Sequence, residues 1–200
     1  MIEIAGDDVF TAEIVRDTFT KSIKVKRAIA SSEELCGFVA NAAEIIAQSL
    51  ARGGKVIICG NGGSASDALH FCGEMVGRFQ RERRAVPAIA LNADVATMTA
   101  VGNDYGYEQI FERGVHAYMK AEDTFIGIST SGNSENVCRA AQAAKKVGGT
   151  AIALLGKTGG KIKNEVDIPI VVPSNNTARI QESHICIIHI ICDMVERTLV

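Results

Sequence analysis

The chain has no tryptophan and only three prolines in 200 residues, so stiff proline-rich linkers have no part in its organisation. Neither sign of charge dominates: 21 Lys plus Arg stand against 23 Asp plus Glu. Gripping nucleic acid by phosphate neutralisation needs a basic face, and a formal net charge of −2 does not supply one. The most apolar stretch, 185–195, contains His189 and Asp193 and falls short of the roughly 20 residues that cross a bilayer. The N-terminus, Met1-Ile-Glu-Ile-Ala-Gly-Asp-Asp, has neither a basic segment nor an apolar one, so export is not expected. The six cysteines (Cys36, Cys59, Cys72, Cys138, Cys186 and Cys192) include no Cys-x-x-Cys pair. That spacing excludes a zinc ribbon or a small disulfide scaffold and fits reduced thiols, most of them buried, in a cytoplasmic protein.

What is present is ordinary globular material: 47% apolar and 22% charged residues, at a length that suits one domain. Residues 1–53 read as N-terminal helices and 54–200 as an α/β core ending in a C-terminal helix. The first helix is expected from Asp8 to about Ala28, with Val9, Phe10, Ile14, Val15, Phe19, Ile23 and Val25 as its apolar residues. The second opens on Ser31-Ser-Glu-Glu, a capping-box pattern, and ends at Gly53-Gly54.

From Lys55 onward, five short apolar runs (55–59, 85–91, 124–128, 150–154 and 168–172) alternate with amphipathic stretches at 66–79, 107–119 and 135–147, and a shorter one after Asp94. This alternation predicts a three-layer α/β sandwich with a five-stranded parallel sheet flanked by helices. Pro87 lies in the second run and Pro169 in the fifth. Proline cannot donate to a ladder and is tolerated at sheet edges, so the strand order 2-1-3-4-5 follows. Ligands of such sheets bind beyond the carboxyl ends of the strands at the switch point, here between strands one and three.

The loops at those two places are unusual. The first, Cys59-Gly-Asn-Gly-Gly-Ser-Ala-Ser-Asp, brings three glycines to a helix N-terminus, where backbone can approach an anion. Gly60, Gly62 and Ala65 also match a dinucleotide fingerprint, but Asn92 stands where that motif wants an acidic residue. The second, Ser129-Thr-Ser-Gly-Asn-Ser, sets four hydroxyls ahead of a helix and lacks the Gly-Lys-Ser/Thr of a nucleotide loop. A single helix cap at Ser134 would use one hydroxyl, whereas a sugar phosphate uses them all.

Two helical patterns carry further chemistry. His70 and Glu74 are four apart, on one helix face, with apolar neighbours; a buried carboxylate there would have a raised pKa and suit proton abstraction. His189 lies in an apolar run, and His184, roughly 140° away round the same helix, cannot join it. Gln181 and His189 are about 12 Å apart along that helix, too far to converge easily on one ion. A neighbouring subunit is one source of the missing partner. The all-round apolar helix then suits the core of an oligomer with the site at its interface.

Taken together, Cys59-Gly-Asn-Gly-Gly-Ser, Val101-Gly-Asn-Asp, Ile128-Ser-Thr-Ser-Gly-Asn-Ser and Arg179-Ile-Gln-Glu resemble the SIS (sugar isomerase) family over nearly the whole chain. The resemblance implies a cytoplasmic homotetramer that converts D-sedoheptulose 7-phosphate to D-glycero-D-manno-heptose 7-phosphate, the first step of ADP-heptose synthesis for lipopolysaccharide. It implies one zinc ion per subunit on His70, Glu74, Gln181 and His189, with Glu74 and His189 catalytic. A metal-bound carboxylate is a weaker base, so the two roles of Glu74 compete. It further implies substrate contacts from Asn61, Gly62, Gly63, Glu74, Asn103, Asp104, Ser129, Thr130, Ser131, Ser134 and Gln181. Ala178 departs from the acidic residue some relatives carry. The rival within the family is a non-catalytic regulator, the DnaA initiator-associating protein, with which the chain shares Ala88-Ile-Ala-Leu-Asn and Ser183-His. That relative lacks the counterparts of Glu74 and His189, so the resemblance favours an enzyme.

Overall fold

The computed structural model describes residues 10–199. Their elements run α1 (Ala12–Ala30), α2 (Glu33–Ala51), β1 (Val56–Gly60), α3 (Gly63–Val76), β2 (Ala88–Ala90), α4 (Val95–Tyr105), α5 (Ile110–Tyr118), β3 (Thr124–Ser129), α6 (Glu135–Val147), β4 (Thr150–Gly156), β5 (Ile168–Val172) and α7 (Thr177–Glu196). The expected helix start at Asp8, with Val9, lies outside the described residues. Thr11 caps α1 instead, its side chain accepting from the Ile14 N–H. The cap of α2 falls one residue later than the pattern suggests: Ser32 accepts from the Leu35 N–H, while Ser31 closes α1.

All pairings in the sheet are parallel, and the order is β2-β1-β3-β4-β5. Both prolines mark edges as expected, but differently. Pro169 lies inside β5 opposite Ala153. Pro87 precedes β2, which has three residues rather than seven, because the backbone at Val86 is still tied to the end of α3 through Met75 O.

Successive strand residues point to opposite faces, and this period of two divides the interior into two cores. Val56, Ile58, Ile126, Ile152 and Leu154 pack with Val39, Ile46, Phe71, Ile187 and Ile191 of α2, α3 and α7. Ile57, Cys59, Phe125, Ala151, Ala153 and Leu155 pack with Phe111, Val115, Val137 and Ala141 of α5 and α6. The three-layer reading therefore holds. The apolar run of α7 is spent largely inside its own chain: Ile180, Ile187, Ile188, Ile191, Cys192 and Val195 are all buried there, and Ile190 is exposed. Most of the apolar surface of this helix is thus covered without a second chain, and Ile190 is what it leaves for an oligomer core. The six cysteines are free, and no described helix is long and apolar enough to cross a membrane.

Candidate active site

The first loop turns at Gly62, whose φ of 59° is a conformation side chains rarely adopt. α3 then starts directly at Gly63. A β-carbon on Gly63 would lie 2.0 Å from Gln181 Nε2, so glycine is what lets Gln181 rest on the first turn of α3. Asn61 reaches across the switch point: its amide donates to Asn136 Oδ1 at 2.8 Å, and its Oδ1 accepts from Asn136 Nδ2 and from the Tyr107 hydroxyl, each at 2.9 Å. Asn136 is buried, so this reciprocal amide pair joins the loop after β1 to the start of α6. Asn92 clamps the backbone of Gly60, accepting from its N–H at 3.2 Å and donating to its carbonyl at 2.8 Å. The residue at the position a dinucleotide motif reserves for an acid thus serves the backbone.

In the second loop, Ser134 occupies the N-cap position of α6 without capping it. Its hydroxyl turns inward to Ser129 Oγ at 2.9 Å, and Ser131 Oγ lies 3.4 Å from the same atom. Ser129 and Ser131 also accept from the N–H groups of Gly132 and Asn133, at 3.2 and 3.1 Å, and Thr130 is half-buried in the same turn. Three hydroxyls are therefore gathered at a helix N-terminus, which favours an anion. Beside them, Glu135 is held well below the usual carboxylate range by hydrogen bonds from Lys161 and Arg139.

The helical half of the site is built by α3 and α7. His70 Nε2 lies 3.0 Å from His189 Nε2 and 3.2 Å from Glu74 Oε1. His189 is flanked on its other side by Phe79, with ring centroids 5.4 Å apart. Glu74 and His189, the expected catalytic pair, thus both contact His70 within one chain, so their approach needs no neighbouring subunit. Gln181 does not join them. It donates to Asp67 Oδ2 at 3.4 Å, nearly a turn before His70 on α3. Gln181 and His189 stay about two turns apart on α7, and α3 lies beside it and offers a partner at each level.

Glu74 is not the buried carboxylate expected: its side chain is 23% exposed. The buried one is Asp67, whose pKa burial raises, while the Gln181 hydrogen bond and the nearby His70 pull it back. Asp67 precedes His70 by three residues, a same-face spacing that sequence reasoning could have used. Asn103 and Asp104 are exposed at the end of α4, where Asn103 donates to Asp104 at 2.8 Å; among the described residues, no hydrogen bond ties them to the loops or the histidines. His184 is separate, as expected, buried with Nε2 2.9 Å from Leu155 O.

A parallel sheet with this switch point, a serine-rich turn at a helix N-terminus and a His–Glu–His cluster together suit a small phosphorylated ligand. Residues 20–156 match the family model of the SIS domain, and the chain belongs to the SIS-domain family. Within it the chain falls among the phosphoheptose isomerases. It is 55% identical to the phosphoheptose isomerase of Citrifermentans bemidjiense over 83% of this chain and 86% of that one. It is 50% identical to that of Geobacter sulfurreducens over 92% and 98%. The solved phosphoheptose isomerase of Neisseria gonorrhoeae superposes with a TM-score of 0.87 at 42% identity, covering 92% of this chain and 98% of that one.

Proposed function

We propose that the protein is an aldose–ketose isomerase that converts D-sedoheptulose 7-phosphate to D-glycero-D-manno-heptose 7-phosphate through an enediol, opening the route to ADP-heptose. The observation that carries this reading is the meeting of Glu74 and His189 on His70 within one chain. The regulator resembling the DnaA initiator-associating protein has no use for that pair.

The substrate phosphate binds at the Ser129, Thr130, Ser131 and Ser134 turn, and Asn61, Gly62 and Gly63 line the sugar. Glu74 takes the proton from C1, and its electron pair becomes the C1–C2 double bond while the C2 oxygen accepts a proton from His189. The C1 hydroxyl then returns a proton to His189 as the C1 carbonyl forms, and Glu74 delivers its proton to C2. The two Nε2 atoms 3.0 Å apart share one hydrogen, so one imidazole donates and the other accepts. Such a pair suits proton traffic on adjacent oxygens.

The donor set also fits zinc chemically. Two imidazole nitrogens and a carboxylate oxygen stand 3.0 and 3.2 Å apart, near the ~3.3 Å edge of a tetrahedron with zinc-length bonds. Among the described residues no three His, Cys, Asp or Glu side chains form a ready metal cage. Holding an ion on His70, Glu74 and His189 would require the hydrogen between the two imidazoles to leave, and Gln181 would complete the set only by leaving Asp67. Held by these side chains, zinc would polarise the substrate carbonyl.

We also infer that copies of the chain assemble, as the resemblance to homotetrameric relatives implies, with the site at an interface. Helix α1 buries none of its residues and exposes Ile14, Val15, Phe19 and Ile23, a stripe that a lone helix in water does not sustain. Leu69 and Val76 on α3 and Ile190 on α7, next to the catalytic side chains, are exposed as well. The same reading assigns the enzyme to the cytoplasm. Incubation of the purified protein with sedoheptulose 7-phosphate in D2O tests the function: aldoheptose phosphate carrying solvent deuterium at C2 is expected. Absence of product, with or without added zinc, refutes it; native mass spectrometry reads the oligomer.

A further inference from the structure

Beyond the catalytic cluster, α3 and α7 are joined a second time by a buried ion pair. The side chains of Arg83 and Glu196 are 3% and 1% exposed, and Arg83 Nε lies 3.4 Å from Glu196 Oε1. Each does more than meet the other. Glu196, in the last turn of α7, accepts from three successive N–H groups: Phe79 at 2.9 Å, Gln80 at 2.8 Å and Arg81 at 2.9 Å. Arg83 spreads its guanidinium over four carbonyls: Glu74 at 2.6 Å, Met75 at 2.8 Å, Gly77 at 2.9 Å and Arg84 at 3.0 Å. α3 has no basic residue in its own last turn, so Arg83, returning from the following loop, caps its orphan carbonyls.

We propose that the Arg83–Glu196 pair is a positioning device for the isomerase site, fixing the end of α3 and the Phe79 turn against α7 so that Glu74, His70 and His189 keep their spacing. This rests on the reading of Glu74 and His189 as the reacting pair. The Glu74 carbonyl is itself one of the four acceptors, so the backbone that carries the base is held directly. Phe79, the first N–H bound by Glu196, is also the ring that flanks His189. His189 sits between that ring and His70, whose centroid is 5.1 Å away.

A buried ion pair contributes little net stability, and an apolar pair of equal volume commonly packs as well. An apolar pair could not bind three N–H and four C=O groups at once. Burial works to raise the pKa of Glu196, but the three N–H donors and Arg83 outweigh it and leave the carboxylate ionised. Arg83 and Glu196 touch none of the reacting atoms, so they are positioning residues.

Glu196→Gln keeps the shape of the side chain but turns one acceptor oxygen into a donor facing N–H groups. Three quantities are measured in the wild type, Glu196→Gln, Phe79→Leu and the double variant: kcat, KM, and amide hydrogen exchange over residues 77–83. In Glu196→Gln, exchange over this segment should rise about tenfold or more while the sheet is unchanged. There kcat should fall by roughly tenfold to a hundredfold with KM within about twofold, because positioning and not binding is lost. Phe79→Leu should lower kcat less, and the double variant should be no worse than Glu196→Gln alone.

Faster exchange with unchanged kcat overturns the proposal, as do losses that multiply in the double variant. If Glu196→Gln does not fold, Arg83→Lys, which keeps the charge but not the fork over four carbonyls, should show the same fall in kcat; unchanged kcat there is equally fatal. Exchange needs no substrate, so unaltered protection of 77–83 in Glu196→Gln refutes the clamp alone. A wild type without turnover refutes the isomerase reading instead.

Discussion

His184 offers the sharpest test of the packing around α7. Its ring is buried in the core, with Nε2 2.9 Å from Leu155 O and Nδ1 without a partner among the described residues. The neutral tautomer that donates from Nε2 satisfies this arrangement; a second proton on Nδ1 would be a buried donor facing nothing. Burial pushes the pKa down from its ordinary 6.5 to about 4, and the Leu155 carbonyl opposes this only partly. Between those values the unfolded chain binds the proton and the folded chain refuses it, so stability falls as pH drops through the window. The contribution is complete above the unfolded pKa and lost once pH passes below the folded one. A depression of this size corresponds to about 3 kcal/mol in all, of which about 2 kcal/mol is gone by about pH 5. His184→Gln places an uncharged amide donor near the same carbonyl and does not titrate. Urea denaturation of both proteins at about pH 7.5 and about pH 5 should show the wild type losing about 2 kcal/mol more than the variant. The carboxylates held at low pKa, among them Glu135 and Asp193, are common to both proteins and cancel. Parallel pH dependences would refute the reasoning.

Three further outcomes are expected. Glu74→Gln should bind substrate with little change while turnover falls about a hundredfold or more; steady-state kinetics with an equilibrium binding measurement checks this, and retained turnover removes Glu74 as the base. Ser131→Ala should raise the apparent Kd for substrate about fivefold, the equivalent of about 1 kcal/mol for one phosphate hydrogen bond; equal affinity for substrate and for inorganic phosphate would exclude the serine turn as the phosphate site. Mixing inactive Glu74→Gln with inactive His189→Asn should restore no activity, because the two side chains meet in one chain; recovered activity, with hybrid oligomers verified by native mass spectrometry, would show that they are contributed by different subunits.

The order of the sheet was legible because two prolines speak directly about hydrogen bonding: Pro169 and Pro87 can stand only where a ladder lacks a neighbour or begins. That order, in turn, singled out the loops after β1 and β3, which the Asn61–Asn136 amide pair indeed joins. What escaped were four polar pairs closed by tertiary packing. Asn136 with Asn61, Tyr107 with Asn61, Asp67 with Gln181 and Arg83 with Glu196 are far apart in sequence, and none repeats with a period that a helix or strand pattern would expose. Helical rise correctly separated Gln181 from His189, but it describes one helix at a time. Only the lateral placement of α3 shows that Gln181 has Asp67 and His189 has His70. The degree of burial of Glu74 was misjudged for a related reason. Apolar neighbours in sequence surround a helix, whereas solvent reaches it from one side, and Leu69 and Val76 belong to that open side.

α3 is the element that makes one site of two halves. It begins in the loop that faces the serine turn, where Gly63 admits Gln181, and it ends under the guanidinium of Arg83. Asp67, His70 and Glu74 lie between, each on the side turned to the cleft or to α7. A helix fixed at its start by strand β1 and at its end by a buried cap has little freedom to shift along its axis, and its side chains inherit that rigidity. α7 is fastened in the same way, by His184 to the end of β4 and by Glu196 to the Phe79 turn. The spacing of the two histidines is therefore set by four attachments outside the cluster.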